Sequence, residues 1–222
     1  MEPDGDAMMT QMQRGSAAMD ALLAGYCAGA LSPAMQALVA SHLALSGRNA
    51  GFVAGLESVL AADAADAAPP PLRDRDARLA AIFAAPMRAP VRRAVSGVLP
   101  PPLLALLGCD FAQIKWRTRL PGLRECVIAP EAEGEASLYW IKAGRGLPRH
   151  THEGGEVTLV LQGAFRDGGG IYGRGDVAIA DALVDHRPVA AEGGDCICLA
   201  VTDAPLRLTG PVGRIAQRLF GH

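Results

Sequence analysis

The sequence predicts an α+β chain in two parts, a small N-terminal helical bundle tethered to a C-terminal all-β barrel. Three observations carry that prediction. Apolar residues recur at helical spacing through about residue 84. Proline clusters at 69–71 and 100–102 then interrupt the chain. From about residue 109 short β-like runs are separated by glycines, the texture of a barrel or sandwich. The resulting boundaries are 1–63 for the helical domain, 64–105 for a tether containing one helix, and 106–222 for the barrel.

The elements follow in order. Residues 16–28 place Met19, Leu22, Leu23 and Tyr26 on one helical stripe, and Gly29 ends it. Ser32-Pro33 is a start signal, with serine as cap and proline in the first turn. The helix 33–46 carries Met35, Leu38, Val39, His42 and Leu45, and Gly47 closes it. A third helix fits 49–62 with Phe52, Val53, Leu56, Val59 and Leu60. A fourth fits 74–84, with Leu79, Ile82 and Phe83 beside its arginines. The β-like runs are Ala112–Thr118, Arg124–Ile128, Ser137–Lys142, Val157–Gln162, Asp176–Ile179, Cys196–Val201 and Arg207–Thr209.

Charge is uneven. Residues 1–70 hold seven acids against two bases, a net of −5, whereas 71–100 hold six arginines against two aspartates, a net of +4. An acidic bundle repels phosphate, so direct nucleic-acid binding is not expected there, and a basic protein partner is. Five scattered cysteines, at 27, 109, 126, 196 and 198, do not make a disulfide framework. No basic-then-apolar leader opens the sequence and no apolar run reaches membrane-spanning length, so the chain reads as cytoplasmic.

The densest chemistry is a set of metal-binding residue types: His150, His152, Glu156 and His186. Neutral imidazole and carboxylate suit zinc, iron, nickel and manganese. Residues i and i+2 of a strand share a face, so His150 and His152 converge, and Glu153-Gly154-Gly155 lets the chain return with Glu156. Glu153 would serve only in a shifted register. Gly144-x5-His150-x-His152-x3-Glu156-x6-Gly163 resembles the first cupin motif at every defined position. The second motif, counted from Gly175, keeps its histidine at His186 but has Asp181, Leu183 and Ala190 in its Pro, Gly and Asn slots. The resemblance implies a cupin, or double-stranded β-helix, barrel holding one divalent metal, zinc foremost, with iron, nickel and manganese compatible.

Helices fused to such a barrel resemble the ChrR-type anti-sigma factors, which hold an extracytoplasmic-function sigma factor inactive. The stretch DALLAGYCAGALSPAMQALVASHLALSGRNAGF, residues 20–52, is similar to that group's first three helices. The group's zinc motif H-x3-C-x2-C retains only His42, because its cysteine slots fall on Ser46 and Asn49 and its upstream histidine falls near Ala17. Serine and neutral asparagine are poor zinc ligands, so no zinc is expected in the N-terminal domain, and His42 is expected as a partly exposed polar residue. Leu22, Leu23, Tyr26, Leu38, Val39, Phe52 and Leu56 must then hold the bundle by apolar packing. As the resemblance implies, the same helices also bind the sigma factor, with these seven residues as the candidate partner-binding set.

The ligand set alone also describes a cupin metalloenzyme, dioxygenase-like, with the helices used for dimerisation. Tyr139, Gln162, Tyr172, Arg174 and Asp185 are then the candidate pocket groups. A homodimer through the barrel is compatible with either reading. Cys196 and Cys198 share one strand face, where packing as small apolar groups outweighs redox or metal chemistry.

Overall fold

The computed structural model describes residues 4–66, 73–85, 97–131, 134–182, 184–204 and 206–209. The helices are α1 (Asp4–Cys27), α2 (Pro33–Ser46), α3 (Ala50–Asp66), α4 (Arg75–Ala84) and α5 (Pro101–Leu107). The strands are β1 (Arg117–Leu120), β2 (Leu123–Glu131), β3 (Gly134–Ile141), β4 (His150–His152), β5 (Glu156–Gln162), β6 (Ala164–Asp167), β7 (Gly170–Gly173), β8 (Val177–Ala180), β9 (Val189–Ala190), β10 (Cys196–Thr202) and β11 (Leu206–Leu208).

Helix α2 starts and stops where its local chemistry dictates. Ser32 Oγ accepts from the Met35 amide at 3.3 Å, Pro33 occupies the first turn, and Gly47 ends the helix at φ 63° with its amide bonded to the Leu43 carbonyl. Helices α1 and α3 extend beyond their predicted limits of 16–28 and 49–62. Helix α5 lies mainly in the stretch predicted as tether. Three consecutive prolines read as a break, yet two of them occupy the opening positions of α5, where the missing N–H has no intrahelical partner to lose. Leu103 and Leu104 are buried, and α5 packs on α2.

The sheets are antiparallel. Six strands run in the order β1-β2-β3-β10-β5-β8, three in the order β7-β6-β9, and β11 pairs with β4. The central strands β3, β10 and β5 of the six-stranded sheet are covered on both faces, whereas the edge strand β1 is exposed. Ile141, Val160, Cys196 and Cys198 point inward to meet Phe165 of β6 and Ala190 of β9. Leu138, Leu159, Ile197, Leu199 and Val201 point outward into one core with Leu23, Leu38, Val39, Val53, Leu99 and Leu103. That is why β10 reads as an apolar run from Cys196 to Val201, with both faces covered; in β5 the polar Glu156 and Thr158 fall on the inward face and Val157, Leu159 and Leu161 on the helix-covered one. Each fully buried leucine contributes roughly 1.5–3 kcal/mol, so the leucines of this core fasten helices and sheet together.

One predicted strand gives way. Most of the run Ala112–Thr118 lies outside any strand: Phe111–Gln113 is a short 3-10 turn, and β1 begins only at Arg117. The β6–β7 hairpin lies outside the predicted runs, and its residues show no apolar alternation across Asp167-Gly168-Gly169-Gly170.

Candidate metal centre

The four candidate ligands arrive from three elements. In β4 the side chains of His150 and His152 lie on one face, both buried. The β4–β5 turn is fastened by Asp203, whose carboxylate accepts from the Gly155 amide at 3.3 Å and whose own amide donates to the Gly155 carbonyl at 3.0 Å. That closure delivers Glu156 as the first residue of β5. His186 is held opposite His150 by a reciprocal pair of backbone hydrogen bonds, each 3.0 Å.

The side chains meet. His186 Nε2 lies 3.0 Å from His150 Nε2 and 3.2 Å from His152 Nε2, and His152 Nε2 lies 3.3 Å from Glu156 Oε2. All four ligand atoms fall within 4.8 Å of one another. Donors bonded to one ion at about 2.1 Å form polyhedron edges of roughly 3.0–3.4 Å, so the spacing fits. The outer hydrogen bonds fix the tautomers. His150 Nδ1 donates to the Pro148 carbonyl at 2.8 Å and His186 Nδ1 to Asp167 Oδ2 at 3.2 Å, which leaves their Nε2 lone pairs aimed at the common centre. His152 Nδ1 is buried, with no hydrogen-bond partner among the described residues. Burial pushes the His150 imidazolium down to about 4 and lowers that of His152, so both rings are neutral near pH 7. Converging unprotonated lone pairs repel one another unless a cation sits between them, and the residues present fit a divalent metal.

Glu153 is half-exposed and ion-paired with Arg207, away from the cluster, so Glu156 is the carboxylate of the set. A cavity of about 750 Å³ adjoins the ligands; Glu156 and His186 line it, together with Tyr139, Phe165, Tyr172 and Cys198. Of the other candidate pocket groups, Asp185 also lines it, Gln162 and Arg174 are exposed, and Arg174 donates to the Leu161 carbonyl at 2.6 Å. Burial and the neighbouring Glu125 carboxylate hold the Tyr139 phenol protonated. A hydrogen bond with Cys196, reinforced by burial, does the same for the Cys198 thiol, so the pair packs as small apolar groups.

The expectation of a partly exposed His42 is overturned. Its side chain is buried on α2, with Nδ1 donating to the Gly175 carbonyl at 2.7 Å and Nε2 accepting from Asn49 Nδ2 at 3.0 Å. Ser46 Oγ bonds the His42 carbonyl at 3.2 Å. His42 and the residues in the motif's two former cysteine slots, Ser46 and Asn49, are thus linked by hydrogen bonds, and His42 ties α2 to the turn before β8. Arg48 adds an ion pair to Asp176 of the same turn. A buried imidazole needs partners, and one partner lies 133 residues away, beyond the reach of local periodicity.

The predicted partner-binding residues divide by exposure. Leu23, Leu38 and Val39 are buried at 1% or less and hold the core. Leu22, Tyr26 and Leu56 are half-buried, and Phe52 is 44% exposed. More apolar surface lies on α3 at Val59 and Leu60, and on α4 at Ile82 and Phe83, which are 67% and 84% exposed. Sequence periodicity locates such residues on a face without distinguishing core from open surface.

Comparison with known proteins adds three findings. Residues 105–205 match the family model described as the ChrR Cupin-like domain. The anti-sigma-E factor ChrR of Cereibacter sphaeroides is 41% identical over 206 residues, covering 90% of this chain and 95% of that protein. A chain in the crystal structure of Rhodobacter sphaeroides SigE in complex with the anti-sigma ChrR superposes with a TM-score of 0.70 at 39% identity, over 83% of this chain and 96% of that one.

Proposed function

From the premise that this chain belongs to the ChrR family of cupin anti-sigma factors, we propose that its open helical faces occupy an extracytoplasmic-function sigma factor and keep it from RNA polymerase. The observation that carries the surface assignment is the apolar side chains left exposed on α3 and α4: Phe52, Val59, Leu60, Ile82 and Phe83. Exposed aromatic and aliphatic anchors of this kind mark protein-binding surfaces. Leu22, Tyr26 and Leu56 are half-buried and contribute their open sides to capture, while Leu23, Leu38 and Val39 hold the helices from the core. Because sigma factors act on DNA and polymerase, the site of action is the cytoplasm. Among the described residues no helix is long and apolar enough to cross a membrane.

The barrel carries one divalent metal on His150, His152, Glu156 and His186, with zinc as the first expectation. When bound, it supplies a Lewis-acidic point that ties β4, β5 and the segment around His186 together. Pro148 and Asp167 orient the two outer rings. The N-terminal motif binds no zinc, since both imidazole nitrogens of His42 are already engaged in hydrogen bonds.

The deciding experiment is co-expression of the full chain with the extracytoplasmic-function sigma factors of its own genome. Stable one-to-one capture of at least one is expected. Capture of none would move the reading to a cupin metalloenzyme.

A further inference from the structure

We propose that the cavity beside the metal ligands is a binding site for a small molecule with an apolar body and a single oxygen-donor head, a carboxylate being the simplest, whose head meets the metal. The inference rests on the metal reading above and extends it to a ligand.

The cavity's size, about 750 Å³, lies within the range of small-molecule sites. Of the four ligands, Glu156 and His186 form part of its wall. An ion held by the set is therefore approached from the Glu156 and His186 side, and a donor head would enter there. The rest of the wall sets the chemistry of the body. Ile141, Leu147, Phe165, Ala178, Val184 and Pro188 are apolar, and Phe165 stacks on Tyr172 with centroids 5.1 Å apart.

Most of the wall's polar groups are already committed. The Tyr139 phenol bonds Glu125, Thr158 Oγ1 donates to Glu156 at 3.0 Å, and Asp167 accepts from His186. Asp185 accepts from Arg149 at 3.1 Å and from Thr209 at 2.9 Å, and Cys198 bonds Cys196. A ligand with several polar groups would lose water and find few partners. One head with an apolar remainder matches what the wall offers. An adjoining recess shares Asp167, Asp185 and His186 with the cavity; Arg149 there pairs with Asp185, while Arg166 and Arg187 add positive charge beside it for an anionic head.

The site also belongs to both halves of the molecule. Gly15 and Ala18 of α1 form part of the cavity's boundary, and α1 contacts β8. An occupant therefore touches a helix of the bundle as well as the barrel.

The test uses the full chain loaded with Co²⁺, whose visible absorption reports a change of ligands, together with titration calorimetry. The probes are octanoate, acetate, which keeps the head without the body, and octylammonium, which keeps the body with a head that has no lone pair. Octanoate is expected to shift the cobalt spectrum and to bind at least about tenfold more tightly than acetate, because each buried methylene adds affinity. Octylammonium is expected to leave the spectrum unchanged. Ala178→Trp, which fills the cavity, and Ala18→Trp, a milder change at its edge, should each weaken octanoate at least about tenfold while cobalt content is retained. Cobalt retained with no octanoate binding, or octanoate no tighter than acetate, or neither variant weakening it, would overturn the ligand site and leave the metal centre standing. Failure to retain cobalt, zinc or any other divalent ion would overturn the metal centre and this site with it.

Discussion

Replacing His42 with alanine tests the joint between bundle and barrel. The substitution removes the 2.7 Å hydrogen bond to the Gly175 carbonyl and the acceptor for Asn49. Gly175 is buried beneath α2, where a Cβ added to it would come within 3.2 Å of Leu45 and 3.3 Å of Ser46. Its carbonyl therefore stays shielded after the change, at a cost of about 1–3 kcal/mol for the lost partner. The volume left by the ring adds about 1 kcal/mol more, giving about 2–4 kcal/mol in all. Ser46→Ala is the milder comparison: that hydroxyl bonds the His42 carbonyl of its own helix and accepts from the Arg48 amide at 3.4 Å, with no bond to the barrel, so its removal should cost under about 1 kcal/mol. Urea unfolding of the full chain, followed by tryptophan fluorescence, measures both. Trp116 and Trp140 pack against the shared core, so the signal reports the joint itself. Metal content should be unchanged in His42→Ala. A loss below about 0.5 kcal/mol, or a drop in bound zinc, would refute the reasoning.

Three further outcomes are expected. His150→Ala and His186→Ala should each abolish metal binding by elemental analysis, and unchanged content in both would remove the assignment. The metal-free chain should lose stability as pH falls from about 6.5 toward 4. His150 is held neutral by burial down to about 4 in the folded state, whereas it protonates near 6.5 when unfolded, so the unfolded chain binds more protons across that window. The loss from His150 alone is up to about 3 kcal/mol, and urea midpoints that stay flat between those pH values would contradict it. Ile82→Asp and Phe83→Asp should abolish sigma capture while moving unfolding free energy by less than about 0.5 kcal/mol, since both side chains are exposed. Capture undiminished in the double variant would relocate the interface.

Legibility in the sequence tracked the range of the interaction. The four candidate ligands were readable because strand period and a short glycine turn decide where they point. Helix α2 was readable because its caps lie within a few residues of its ends. Helix α5 was hidden because proline at a helix start and proline at a break look alike until packing is seen. The burial of His42 was hidden because its partner carbonyl belongs to another part of the chain. Strand β10 carries a further signal: Cys196–Val201 has no polar alternation, which implies that both faces of the sheet are covered at that strand.

That double covering has a practical consequence. Cys198 borders the cavity while Leu199, its neighbour in sequence, supports the helices, so one peptide unit separates two environments. Substitutions along β10 or β5 will disturb ligand chemistry and bundle stability at once, and their phenotypes will be mixed. Variants that alter a single property are better sought at the periphery, in the β6–β7 hairpin for the barrel and on the outer side of α4 for partner capture.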